Sequence, residues 1–185
     1  MVFNNPRFIP LIVASASVVI AGSAAAGTAA LQTNVSERAS ATLKNPTGER
    51  VGSVAFAQTP NGVLLTATLT GLPPGEHGFH IHQTGSCDPD FSAAGGHFTP
   101  AGAAHGILSA DGAHAGDMPN INVGADGKLK IEVLNTQISL KESGDGYLFD
   151  DDGAAMLIHA GADDYSSQPS GDAGDRIACG VIQKN

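Results

Sequence analysis

The chain has 185 residues, with 9 basic against 18 acidic side chains and a formal net charge of −9. So acidic a surface disfavours nucleic acid and anionic lipid as partners. With 24 glycines, 10 prolines and no tryptophan, the composition suits short strands and turns more than a helical bundle.

The first 26 residues read as a secretory leader. Arg7 is the one basic residue before an apolar run from Phe8 to Ile20, and small residues follow. Ala24 and Ala26 satisfy the cleavage rule, with Ala29 as a rival site. The competing reading is a membrane anchor, but the run is short for a span of ~20 residues and Pro10 breaks it. No cysteine near the cleavage region offers a lipid attachment point. Loss of the leader leaves eight basic against 18 acidic residues, a net charge of −10, and a chain of roughly 155 residues, enough for one buried core. Residues 27–38 are expected to be a flexible N-terminal segment and residues 39–185 one domain. Export would place the protein in the periplasm if the cell is bacterial, with no stable membrane association once the leader is removed. It would also permit a disulfide between the only two cysteines, Cys87 and Cys179. The rival is two buried thiols.

From residue 39 onward the pattern is strand and turn. Ala41 and Leu43 alternate with polar neighbours. Val51 to Gln58 and Val63 to Thr70 are apolar, β-branched runs bounded by Pro-Asn-Gly and Gly-Leu-Pro-Pro-Gly. Leu129, Ile131 and Val133 alternate with Lys128, Lys130 and Glu132, the period-2 signature of a half-buried strand. Residues 154–160 and 176–182 read as two more strands. Residues 83–118 break the pattern and predict a long loop of the functional kind.

All seven histidines lie between residues 77 and 159. In Gly-Phe-His-Ile-His (78–82), a strand places His80 and His82 on one face and Phe79 and Ile81 on the other. His77 shares the parity of Phe79, so it is expected to turn away, buried and hydrogen-bonded in support of the strand. His97, His105, His114 and Asp117 follow at spacings of 8, 9 and 3. Three imidazoles and a carboxylate can close a tetrahedral shell around zinc, and metal binding would order a loop with few other means of doing so. His159 ends an apolar strand. Two four-coordinate sites need eight ligand bonds from these seven side chains, so one imidazole must serve both metals. An all-histidine set favours copper(II), and a mixed nitrogen and carboxylate set favours zinc.

The segments Gly-Phe-His-Ile-His, Ala-Gly-Gly-His-Phe-Thr-Pro (94–100), Ala-His-Gly (104–106), Gly-Ala-His-Ala-Gly-Asp (112–117), Ile-His-Ala-Gly-Ala-Asp-Asp-Tyr (158–165) and Gly-Asp-Arg-Ile-Ala-Cys-Gly-Val-Ile (174–182) resemble the copper–zinc superoxide dismutases. The likeness runs over about residues 39–183 and is nearest to the exported bacterial type. It implies an all-β fold, a Greek-key antiparallel sandwich or flattened eight-stranded barrel with long metal-binding and active-site loops. It implies one copper on His80, His82, His97 and His159, and one zinc on His97, His105, His114 and Asp117, with His97 shared and also catalytic. Asp163 would join a copper histidine to a zinc histidine, and Arg176 would attract and position the anionic substrate. Cys87 and Cys179 would form the intrasubunit bridge.

The activity so implied is disproportionation of superoxide to oxygen and hydrogen peroxide, with superoxide anion as the partner and a homodimer as the assembly some relatives form. An exported copper-binding or buffering protein on the same fold is the alternative, and a binuclear zinc hydrolase is a further rival that would prefer carboxylates in both shells. Two departures stand out. No lysine lies between His159 and Arg176, which leaves steering to Lys128, Lys130 or Lys141, or makes it weaker. Thr99 stands where relatives usually carry asparagine.

Overall fold

The computed structural model describes residues 1–2 and 37–185. The expected leader beyond its first two residues, and most of the segment 27–38, lie outside the described residues. Among the described residues nine strands follow in chain order: β1 (Arg38–Lys44), β2 (Arg50–Thr59), β3 (Gly62–Leu69), β4 (Gly75–His77), β5 (Phe79–His82), β6 (Ile121–Val123), β7 (Leu129–Asn135), β8 (Ala155–His159) and β9 (Arg176–Lys184). Seven of them pair in the order β5-β8-β9-β1-β2-β3-β7, and β4 pairs with β6 in a second, two-stranded sheet. Every strand pair is antiparallel, and the larger sheet curls into a half-barrel. The all-β expectation therefore holds.

Local chemistry sets the hairpins. Asn45 begins the β1–β2 turn, its side-chain oxygen accepting from the N–H groups of Thr47 and Glu49. A two-residue loop, Pro60-Asn61, joins β2 to β3, with Thr59 opposite Gly62. In β7 the alternation appears as read: Leu129, Ile131 and Val133 pack on the core, while Lys130, Glu132 and Leu134 are exposed.

Three features were not read from the sequence. The strand read over 78–82, with His77 placed at its parity, is interrupted at Gly78, whose N–H donates to Gly161 O and whose carbonyl accepts from His159 N–H. Among the described residues there are nine strands, against the eight that the resemblance implies. The second feature is β6, three residues long. The third is a 3₁₀ turn at Phe91–Ala94 inside the long loop, capped by the Asp90 side chain. Strand β1 also takes in Arg38, which pairs with Ala57, one residue before the expected domain start.

Strands β5 and β8 separate two environments. On one face Phe79, Ile81, Met156 and Ile158 are fully buried in the main core with Phe56, Leu65 and Leu148. Each such side chain contributes roughly 1.5–3 kcal/mol by leaving water. On the other face Ala155, Leu157 and Cys179 form a smaller cluster with Ala94, against which Cys87 and Phe91 pack. His80 lies opposite Leu157 on this outer face. The loop that covers it is fastened by the Cys87–Cys179 disulfide, Cα–Cα 6.0 Å.

Closing a loop across 92 residues of separation restricts the unfolded chain by about 4–5 kcal/mol in the loop-entropy account. Reduction, or a Cys87→Ser and Cys179→Ser double substitution, should therefore lower the unfolding free energy of the metal-free protein, measured by urea titration, by an amount of that order.

Candidate metal centre

Strand β5 is an edge of the seven-stranded sheet, and the metal-loop candidates are laid along it. Phe98 N–H donates to Ile81 O, Gln83 N–H to Gly96 O, and Ile81 N–H to Gly116 O. His82 and His97 face each other in an isolated antiparallel bridge. Gly116 is required here, because a Cβ at that position would collide with the Ile81 carbonyl oxygen. A register shift between Ile158 and His159 brings the latter opposite Arg176 at the end of β8, re-aiming the ring as bulges do.

The result is two four-residue groups, His80 with His82, His97 and His159, and His97 with His105, His114 and Asp117. Within each group one ligand atom per residue lies within 4.8 Å of the others. All seven side chains are buried. His97 is the ring common to both, with ring-centre distances of 4.1 Å to His80, 4.8 Å to His82, 5.1 Å to His105, 5.4 Å to His114 and 6.0 Å to His159.

The outer nitrogens are tied down, and that decides what the inner ones are. His82 Nδ1 lies 3.0 Å from Gly95 O, and His159 Nδ1 lies 3.2 Å from Gly174 O. A carbonyl oxygen only accepts, so both Nδ1 atoms carry the proton and both Nε2 atoms present lone pairs. Those two Nε2 atoms are 3.3 Å apart. His80 Nε2 and His105 Nε2 donate to the two oxygens of Asp163, at 2.9 Å and 3.0 Å, which leaves both Nδ1 atoms bare. Neither of these, nor His97 Nε2, finds a hydrogen-bond partner although all three are buried. His105 Nδ1 is 3.1 Å from Asp117 Oδ2 yet makes no hydrogen bond to it, as befits two donor atoms aimed at a common third point. Asp117 Oδ1 lies 2.8 Å from His97 Nδ1 and 3.3 Å from His114 Nδ1, and its Oδ2 accepts from the N–H groups of Gly106 and His114.

Burial disfavours protonation of four of the rings. Burial, with the neighbouring imidazole His80 next, pushes His159 down to about 4. Burial and then the His97 ring hold His82 well below the ordinary imidazole value. His80 and His114 are lowered by burial against the opposing pull of Asp163 and Asp117 respectively. Burial raises Asp117, but the His97 hydrogen bond, the Gly106 N–H and the adjacent imidazoles outweigh it and hold the carboxyl well below the usual range. The site is thus a set of converging lone pairs and one carboxylate, a donor set suited to divalent cations. The all-nitrogen group fits copper and the mixed group fits zinc.

The remaining residues singled out in the sequence also come to this place. His77 is 2% exposed, with Nδ1 2.8 Å from His159 O and Nε2 2.8 Å from Pro73 O. Arg176 donates to Phe91 O at 2.5 Å and to Gly95 O at 2.6 Å, which ties it to the disulfide-held loop. It stands in the wall of a cleft of about 940 Å³ with Lys44, Asp88, Asp90 and Asp175. Lys44 is a cation that the sequence reading passed over. Thr99 makes only a long contact, 3.4 Å, to Ala103 O.

Sequence reading missed the side chains that hold Asp163 and His105 in place. Asn120 pairs with the Asp163 main chain, and Gln168 with that of His105. Gly171, at φ +70°, packs so closely on the Asp163–His105 hydrogen bond that a Cβ would overlap Asp163 Oδ1. No local pattern marks these residues, since their contacts span 43 and 63 positions in Asn120 and Gln168.

The model of the copper/zinc superoxide dismutase family matches residues 50–182. Superoxide dismutase [Cu-Zn] 1 of Aquifex aeolicus is 47% identical over 145 residues, 77% of this chain and 86% of that protein. The Caulobacter vibrioides superoxide dismutase [Cu-Zn] is 44% identical over 148 residues, covering 78% and 85%. The crystal structure of a SOD-like protein from Bacillus subtilis superposes with a TM-score of 0.74 at 41% identity, covering 77% of this chain and 96% of that one. The chain belongs to the copper/zinc superoxide dismutase family.

The lowered histidines give a pH prediction with a definite sign. In the metal-free protein His159 titrates near 4 when folded and near 6.5 when unfolded, so the unfolded chain binds the extra proton between these values. Stability is full above about 6.5 and falls as pH drops toward 4, by on the order of 3 kcal/mol from this residue. His82 acts in the same direction. Denaturation of the chelated protein from pH 7.5 to 4.5 should show a monotonic loss.

Proposed function

We propose that the protein is an exported superoxide dismutase that holds copper on His80, His82, His97 and His159, and zinc on His97, His105, His114 and Asp117. The observation that carries this reading is the His97 ring. Its Nδ1 turns to Asp117 at 2.8 Å, while its buried Nε2 is unpartnered in the company of His80, His82 and His159.

Copper, when bound, supplies one-electron exchange by alternating between two oxidation states, while zinc is redox-silent. The chain supplies the rest. His97 Nε2 would help hold copper, and it is the nitrogen placed to take a proton from solvent and pass it to the reduced substrate. One superoxide is oxidised to oxygen; the second is reduced and takes two protons, one from His97 Nε2 and one from water, to leave as hydrogen peroxide. Asp163 orients His80 and His105 together, and such partners fix the ring and raise ligand basicity. Arg176 offers a fixed cation to an anionic substrate that the protein's net charge otherwise repels. Burial draws its pKa down against the opposing charge of Asp90, and a guanidinium stays protonated throughout the working range.

Export is supported by the Cys87–Cys179 disulfide, since such bonds persist in oxidising compartments; a periplasmic location follows if the cell is a Gram-negative bacterium. Both ligand groups come from one chain, so the chemistry does not require a homodimer. A copper-buffering protein would need the ligands but neither the Asp163 brace nor a guanidinium held by two carbonyls.

Metal analysis of the purified mature protein, with a superoxide assay before and after chelation, tests the assignment. His97→Ala should lower turnover by about 10²–10⁴-fold, the range for a lost proton-transfer group, and unchanged turnover with both metals bound would refute the shared-ligand role. Arg176→Ala should cut the second-order rate by roughly 10-fold or more and flatten its dependence on ionic strength. A salt profile like the parent's would remove it from steering.

A further inference from the structure

His105 is fully buried, and among the described residues one side chain pairs with both of its main-chain polar groups. Gln168 Oε1 accepts from His105 N–H at 3.0 Å, and Gln168 Nε2 donates to His105 O at 2.8 Å. The same arrangement recurs nearby. Asn120 Nδ2 donates to Asp163 O, and Asn120 Oδ1 accepts from Asp163 N–H, both at 2.8 Å. The two gripped residues are bonded to each other, His105 Nε2 to Asp163 Oδ1 at 3.0 Å.

Gln168 and Asp163 belong to one short segment whose conformation is itself fixed. Tyr165 N–H donates to Asp163 Oδ1, Asp164 Oδ1 accepts from the N–H groups of Ser166 and Ser167, and Gln168 Nε2 also donates to Ser166 O. The segment after β8 therefore holds His105 from two sides, by the far nitrogen of its ring and by its backbone. Tyr165 extends the contact, its carbonyl accepting from Leu108 N–H.

We infer that Gln168 is a positioning residue for zinc: it locks His105 with Nδ1 turned inward, so that the segment 163–171 governs how fast zinc leaves. This rests on the reading of His105 as a zinc ligand. His97, His114 and Asp117 are held without Gln168. Its loss should therefore loosen one ligand of four rather than dissolve the site.

The mature protein loaded with copper and zinc provides the test, with zinc release followed by a competing chromophoric chelator. Gln168→Ala should release zinc roughly 10–100-fold faster than the parent, the usual cost of losing an outer partner of a ligand. With cobalt(II) in the zinc site, its visible absorption bands should shift as well. Gln168→Glu, of equal size, keeps the acceptor for His105 N–H but sets an oxygen against His105 O. It should also release zinc faster, which covers a failure of the alanine variant to fold. Gln58 is the control. It ties Leu140 N–H and Gly62 O to the β2–β3 hairpin by the same kind of amide contacts, so Gln58→Ala should leave zinc release and the cobalt spectrum unchanged. Parental release with an unchanged cobalt spectrum in both Gln168 variants, or an equal acceleration in Gln58→Ala, overturns the inference alone. A parent protein that takes up copper but no zinc overturns the ligand assignment, and the inference with it.

Discussion

Buried imidazole lone pairs pointing at one another are the constraint on which the rest of the structure depends. The outer nitrogens of His82 and His159 donate to carbonyl oxygens, and those of His80 and His105 donate to the Asp163 carboxylate. None of these acceptors can donate in return, so in the neutral rings the inner nitrogens carry lone pairs. Packing such atoms 3.3 Å apart without a cation between them is unfavourable in a medium of low dielectric. Metal binding would relieve that cost and so add to the stability of the folded state.

The long loop has few apolar means of settling. It contributes Ala94 and Phe98 to buried clusters but few other large apolar side chains. Its order comes from attachments of different kinds. The disulfide fastens its start to β9. Hydrogen bonds along β5 seat residues 96–98 and Gly116. Arg176 reaches into it through two carbonyls, and Gln168 grips it at His105. Gly95 O accepts from both His82 and Arg176, so the guanidinium and a ring of the all-histidine group are registered against the same atom.

How much of this the sequence displayed can be judged residue by residue. The alternation in β7 and the parity of His80 and His82 against Phe79 and Ile81 were visible because side-chain direction on a strand repeats every second residue. Ligand arithmetic called for one shared imidazole, and the family resemblance pointed to His97 as that ring. The break at Gly78 was not visible, since it results from hydrogen bonds to the segment around Gly161, far along the chain. Nor was β6, whose three residues are too few to show a period. Asn120 and Gln168 escaped for a different reason. An amide that pairs with distant backbone looks, in sequence, like any polar loop residue.

Strands β5 and β8 turn one face to the hydrocarbon core and the other to the ligands, and no side chain serves both. Phe79, Ile81, Met156 and Ile158 can carry the weight of the scaffold whatever happens to His80, His82 and His159. Substitutions on opposite faces should then combine nearly independently. A lineage could lose or rewire its metals while keeping the architecture intact, or retune its thermal tolerance without touching its redox chemistry.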